Sequence, residues 1–287
     1  MTPVTVYLLI FLAIACMSTA SIMIRYCTAP SLVIALYRVM FTAMLGGMIG
    51  QWGTRPGLTP LSRKNLGYCL GAGFFLAVHF GFWITSLNYT TVSSSVLFTN
   101  LQVVFVLVFS FLVLGEKVNN KVVFGILLAL AGSVLIAGGD FRGGRLGGDL
   151  LALVSAVFMA AYLIIGRRVR NQLDVWTYTL VVNGMATLVL LLGAVLAGLA
   201  LYPYPRTDFI WFFLLALLPG IGGHTILNWA LKYVKAPLVA VSILGESVMA
   251  SILAYFFFGE LLLWYQILGA LLILTGIYTA AVNEPGA

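Results

Sequence analysis

Charge is what this sequence has least of. Of 287 residues only 8% are Asp, Glu, Lys or Arg, against 62% hydrophobic, whereas globular domains in water carry about 25% charged residues. Fifteen Lys and Arg with eight Asp and Glu cannot cover a water-facing surface, which excludes a soluble fold. Long basic runs are missing as well: the densest stretch is Arg167-Arg168 with Arg170 beside it. The net charge of +7 therefore argues for membrane topology and against nucleic acid. The three cysteines, Cys16, Cys27 and Cys69, stand apart with no CxxC or metal-ligand spacing, so neither a disulfide framework nor a metal centre is expected. HExxH is absent, and two histidines with one Glu do not make a zinc site. No Walker motif is present, so ATP drive within the chain is unsupported and no cofactor is expected. The chain opens Met1-Thr2-Pro3-Val4 without a basic n-region. Its first apolar run has the length of a span rather than of a signal-peptide core.

What the sequence does have is a series of apolar runs at about 4–24, 31–50, 65–86, 91–114, 119–138, 148–166, 175–201, 208–231, 236–258 and 262–282. The runs are continuously apolar and of helix-spanning length; barrel strands would alternate over about ten residues. The expected fold is an all-α membrane protein of ten transmembrane helices. Loops on the amino-terminal side hold Arg55, Arg63, Lys64, Lys117, Lys121, Arg167, Arg168, Arg170, Lys232 and Lys235, and the other side holds Arg25, Arg142, Arg145 and Arg206. This imbalance puts both termini in the cytoplasm.

A duplication organises the runs. Leu114-Gly115-Glu116, Gly125 and Gly132 match Phe258-Gly259-Glu260, Gly269 and Gly276 at a constant offset, and Leu87-Asn88-Tyr89 falls on Leu231-Lys232-Tyr233 in the same register. Five spans per repeat is an odd number, so the second half (145–287) must run upside down relative to the first (1–144), with Glu116 cytoplasmic and Glu260 external. Inverted repeats of this kind are a transporter architecture, with substrate near the midplane between the halves.

The pattern Ser86-Leu87-Asn88-Tyr89, Gly115-Glu116, Gly125, Gly132 and its second copy Ala230-Leu231-Lys232-Tyr233, Glu246, Gly259-Glu260, Gly269, Gly276 resembles the EamA-type members of the drug/metabolite transporter superfamily. The resemblance covers nearly the whole chain and implies a carrier of small metabolites, with export favoured. Tyr37-Arg38 looks like the family's arginine on the second helix; its counterpart by position is about Asn183. The family's prolines on the fourth and ninth helices are replaced here by Val103 and Ser247.

Ionisable residues in hydrocarbon cost several kcal/mol (~2.5–3.5 on insertion scales) unless they face a cavity or a partner. Those at membrane depth are therefore the candidate substrate site: Arg38, His79, His224 and Glu246, with Ser18, Trp83, Asn100, Gln102, Tyr162 and Asn228. Glu246 superposes on Gln102 under the repeat and suits proton exchange, an ammonium partner, or a structural hydrogen bond. His79 with Trp83, and His224 with Asn228, each share a helix face. Arg38 suits a substrate carboxylate, or snorkels to the external interface. Pro219, Gly220, Gly222 and Gly223 are expected to break the eighth span and act as a hinge. Gly67 and Gly71, and the paired glycines of the fifth and tenth spans, read as close-packing faces. The expected function is a secondary transporter, an exporter of an amino acid or related compound, in a bacterial inner membrane. Its partners would be the small-molecule substrate, the bilayer and possible coupled protons, as a monomer or a homodimer. The alternatives are an uptake carrier for a cationic amine and, more remotely, an intramembrane enzyme.

Overall fold

A computed structural model describes residues 3–52, 58–137, 146–258 and 263–283. Ten helices are long and apolar enough to cross a membrane: α1 (Val4–Tyr26), α2 (Ser31–Trp52), α3 (Arg63–Ser86), α4 (Ser94–Leu114), α5 (Asn120–Ala137), α6 (Leu146–Val169), α7 (Val175–Leu196), α8 (Arg206–Ala230), α9 (Ala236–Leu253) and α10 (Trp264–Val282). No strand occurs among the described residues. Arg55, Arg142, Arg145, Gly259 and Glu260, used above for topology and the repeat, lie outside the described residues.

The ends follow local chemistry. Ser62 caps α3 by accepting from the Asn65 N–H, and Asp174 caps α7 by accepting from Trp176 and Thr177, which satisfies backbone donors that a helix start leaves free. The seventh span was expected to reach residue 201 and stops at Leu196. Gly198 takes φ +66 and its N–H bonds Val195 O while Leu199 N–H bonds Ala194 O, a left-handed glycine ending that terminates the helix.

Four spans are irregular near mid-depth. Helix α1 is interrupted at Ser18 and Thr19, α4 at Leu101, and α9 at Leu244, while α8 widens into a π-helix over Ala216–Thr225. The eighth span is thus not broken as its Pro-Gly run suggested. Proline lacks an N–H and its ring crowds the preceding turn, and the wider i→i+5 winding takes up both effects without unwinding the helix. Thr225 Oγ1 donates to Gly220 O at 3.1 Å, which supplies a partner in hydrocarbon. The interruptions of α4 and α9 need no proline: Leu101 and Leu244 lie two and three residues before Val103 and Ser247.

The packing is between halves. Helix α3 lies on α6 and α7, and α8 on α1 and α2; α4 packs on α6 and α9 on α1; α2 pairs with α7 and α5 with α10. Exchanging the halves maps every one of these pairs onto another or onto itself. The α5–α10 seam is backbone on backbone. A Cβ on Gly125 would meet Gly276 O at 2.6 Å, one on Gly269 would meet Gly132 O at 2.6 Å, and Gly132 and Gly276 return the same contacts. Only glycine allows this approach. The Gly67/Gly71 pair, expected to pack closely, does not: Gly67 faces open space, and the nearest atom to a Gly71 Cβ would be Ile165 Cδ1 at 3.8 Å. Gly73 is the tight position on α3, where a Cβ would lie 2.5 Å from Val182 O.

Two Asp–Thr clamps tie the halves at the span ends. Asp208 Oδ2 accepts from Thr28 N, Thr28 Oγ1 and Ala29 N at 3.0 Å each, and Asp174 Oδ2 accepts from Thr59 N (3.0 Å) and Thr59 Oγ1 (2.6 Å). Burial alone would push the Asp174 carboxyl up, but hydrogen bonds from Thr177 and Thr59 outweigh it and hold it at about 2.

Gly132→Ala is expected to lower stability in detergent by roughly 1–3 kcal/mol through overpacking, with Gly67→Ala neutral or slightly stabilising; thermal unfolding of both checks it. Because the Asp174 carboxyl is held below its ordinary value, its contribution is present above about pH 4 and is lost as pH falls toward the folded value. Asp174→Asn should therefore lower the melting temperature at neutral pH and shrink the loss on acidification, measured by melting from pH 7 to 3.

Candidate functional site

The mid-depth irregularities surround a cavity of about 40 Å³. Helix α2 contributes Arg38; α3 contributes His79, Phe80 and Trp83; α4 contributes Thr99, Asn100 and Gln102; α8 and α9 contribute His224 and Glu246. Its volume is well below the ~300–1,000 Å³ of a ligand pocket, so this conformation is contracted around its polar groups. Trp83 and Val96 complete the lining on the α3 and α4 side.

The structure brings most of the sequence candidates together: Arg38, His79, Trp83, Asn100, Gln102, His224 and Glu246 all line this one space. Arg38 does not snorkel. It is 2% exposed, and its guanidinium sits 4.2 Å above the Phe80 ring, a cation–π contact that steadies a desolvated cation. His79 and Trp83 are stacked, with ring centroids 6.3 Å apart and planes 2° apart. Arg38 and Glu246 share the cavity without an ion pair between them. Three lining atoms, Arg38 Nη1, Thr99 Oγ1 and Gln102 Oε1, are buried without a hydrogen-bond partner. Each such atom costs on the order of 1–3 kcal/mol, so the cavity offers a donor and two oxygens to an incoming molecule.

Other candidates lie elsewhere. Ser18 is off the lining; its Oγ donates to Ile14 O at 2.8 Å and lies 3.3 Å from Glu246 O, joining the interrupted part of α1 to α9. Asn228 and Tyr162 bond each other below His224, and Asn228 Nδ2 also donates to His224 O at 2.7 Å. Asn183, Arg38's counterpart by position, donates to Thr179 O of its own helix. The glycines of the widened α8 segment seat it on α1 and α2: a Cβ on Gly222 would be 3.0 Å from Cys16 Sγ, one on Gly223 2.5 Å from Met17 Cγ, and one on Gly220 would run into Thr42 Oγ1, with Pro219 buried beside them.

Some contributors escaped the sequence reading. Asn100 Nδ2 donates to Ser247 Oγ (2.9 Å) and Ser133 Oγ (3.2 Å), linking α4, α5 and α9 at the cavity wall. Ser247 follows Glu246 directly, but nothing in the sequence says which span faces it. His79 Nδ1 lies 2.9 Å from Ser155 Oγ and 3.1 Å from Ser155 O. Ser155 is fully buried and off the lining, so this contact orients the ring and does not present a nucleophile to the cavity.

The sequence profile of the EamA-like transporter family matches residues 4–138 and again 146–282. The chain belongs to the EamA-like transporter family. It is an integral membrane transporter of the drug/metabolite transporter superfamily. An uncharacterized transporter of Archaeoglobus fulgidus is 25% identical over 277 residues, covering 94% of each chain. Solute carrier family 35 member G1 of Homo sapiens is 29% identical over 231 residues, 75% of this chain; the match spans 60% of that protein's length. A crystal structure 20% identical in sequence superposes over 100% of both chains with a TM-score of 0.81, a likeness of fold alone. Within this EamA-like transporter the two family-type tyrosines, Tyr89 and Tyr233, are 54% and 40% exposed and so play no part in the cavity.

Asn100→Ala should cost roughly 1–3 kcal/mol in thermal unfolding, because Ser247 and Ser133 lose a buried partner. Ser133→Ala, which removes only the longer bond, should cost less.

Proposed function

We propose that this EamA-like transporter is a secondary carrier that exports a small zwitterionic metabolite of the amino-acid class. The two five-helix halves, divided between residues 144 and 145, alternate access to the central cavity; both termini face the cytoplasm of a bacterial inner membrane. The observation that carries the substrate class is the presence of Arg38 and Glu246 in one cavity, opposite in charge and not in contact. A carboxylate would find the free Nη1 of Arg38, and an ammonium group would find Glu246 with the oxygens of Gln102 and Thr99. His79, Phe80 and Trp83 offer an aromatic wall for the rest of the molecule.

A proton can compete with the ammonium group. The charged and titratable groups facing Glu246 across the cavity are Arg38 from α2, His79 from α3 and His224 from α8; Asn100 and Gln102 from α4 are neutral. Protonation of Glu246 would remove the ammonium partner and release substrate, which couples transport to a proton moving the other way. A purely cationic amine fits less well, because Arg38 would meet it as a like charge.

Reconstituted in liposomes, the protein should transport members of an amino-acid panel with saturation. Glu246→Gln should keep the fold and residual binding while the pH dependence of transport disappears. An unchanged pH profile would remove the proton role, and no saturable transport across the panel would remove the substrate class.

A further inference from the structure

Leu114-Gly115-Glu116, the first copy of the duplicated Gly-Glu motif, has no part in the cavity. Glu116 follows α4 at the Lys/Arg-rich face, fourteen residues beyond Gln102, about 20 Å along a helix. The chain is shaped to hold its carboxylate there. Helix α4 ends in a π-turn over Ser110–Leu114, and Gly115 follows at φ +67, a left-handed conformation suited to glycine. That turn brings Glu116 back over the helix end: its N–H bonds Ser110 O at 3.2 Å and its Oε2 accepts from Ser110 Oγ at 2.7 Å. The remaining oxygen, Oε1, takes Arg167 Nε at 2.9 Å, with both side chains largely buried (16% and 20% exposed).

Arg167 is thereby aimed at α8. Its Nη1 donates to Leu231 O at 2.7 Å, and three residues on Arg170 donates from Nε to Asn228 O at 3.1 Å and from Nη1 to Leu173 O. Leu231 and Asn228 carry carbonyls at the end of α8, where a helix has acceptors without partners and its dipole is negative. Two guanidiniums therefore cap one helix end. At the opposite membrane face α4 and α6 are also fastened to each other, since Thr90 Oγ1 and Ser94 Oγ both donate to Asp149 Oδ1 at 2.7 Å. Helices α4 and α6 are thus fastened at both ends, and the arginines hold the end of α8 against them.

Beneath this clamp, between it and His224, the interior is polar and incompletely paired. Tyr178 OH and Asn228 Oδ1 are buried without partners, and a Cβ on Gly166 would meet them at 3.1 and 3.0 Å. We infer that Glu116, Arg167 and Arg170 form the gate of the Lys/Arg-rich face: they clamp the end of α8, and their release opens a path past Tyr178 and Asn228 into the cavity. The released carbonyls and guanidiniums sit at the membrane surface, where water replaces the bonds they give up. The inference rests on the transport reading above, and its test separates the two.

The test is thiol labelling of Met159→Cys, on the cavity lining, with Cys16, Cys27 and Cys69 replaced by Ala and a membrane-impermeant maleimide added from either face. The parent should label slowly from the Lys/Arg-rich face. Glu116→Gln and Arg167→Gln should each raise that rate roughly tenfold or more, as a minor state becomes populated, while Arg167→Lys, still able to donate to Leu231 O, stays near the parent. Gly115→Ala, which meets no neighbour but is disfavoured at positive φ, should raise the rate without touching any charge. Unchanged labelling in these variants, with melting and elution retained, overturns the clamp. A parent that never labels from the Lys/Arg-rich face, even with substrate present, overturns alternating access instead.

Discussion

The core of a bilayer supplies no water, so a polar atom brought to mid-depth must be bonded within the protein or face a cavity. In this chain that requirement arranges both the backbone and the charges. Irregular turns in α1, α4, α8 and α9 gather at one depth, where Ser18 and Thr225 supply side-chain bonds to the local backbone and the cavity takes up the rest. Arg38 and Glu246 sit at this level, on helices whose outer faces are apolar. The scarcity of charge noticed in the composition is the same fact seen from outside: where lipid surrounds a helix, a charge is tolerated only on its inward side.

Much of the fold was legible because hydropathy and span length report directly on lipid contact. The paired glycines were legible too, since a repeat at constant offset exposed Gly125, Gly132, Gly269 and Gly276 together, and these positions form the α5–α10 seam. Gly67 and Gly71 show the limit of a spacing argument: four residues apart on a helix puts two glycines on one face, but does not say whether another helix lies against it. The end of α7 was misplaced because Ala197 to Leu201 remain apolar; Gly198 at positive φ ends the helix and hydropathy does not see it.

The candidate site was legible as a set of residues and not as an arrangement. Rarity of ionisable groups at depth picked out Arg38, His79, His224 and Glu246, which do share a cavity. Tyr162 and Asn228 pass the same filter but turn toward each other below it, because depth alone does not fix rotation about the helix axis. The Asn100–Ser247 bond was invisible for a related reason, as the two residues come from opposite halves. The repeat is symmetric in packing and asymmetric in chemistry. Gln102 stands where the second half has Glu246, and Asn183 about where the first has Arg38, so one cavity built by two similar halves carries one arginine and one carboxylic acid beside its two histidines.

The substrate proposed for this cavity bears both a carboxylate and an ammonium group. Its most direct test is ligand-induced stabilisation of the purified protein across amino acids, their decarboxylated amines and their deaminated acids, with Arg38→Gln run alongside. The melting temperature should rise with one or more amino acids, rise less or not at all with the matching amines and acids, and lose the amino-acid effect in Arg38→Gln. Stabilisation by amines alone, undiminished in Arg38→Gln, would contradict it.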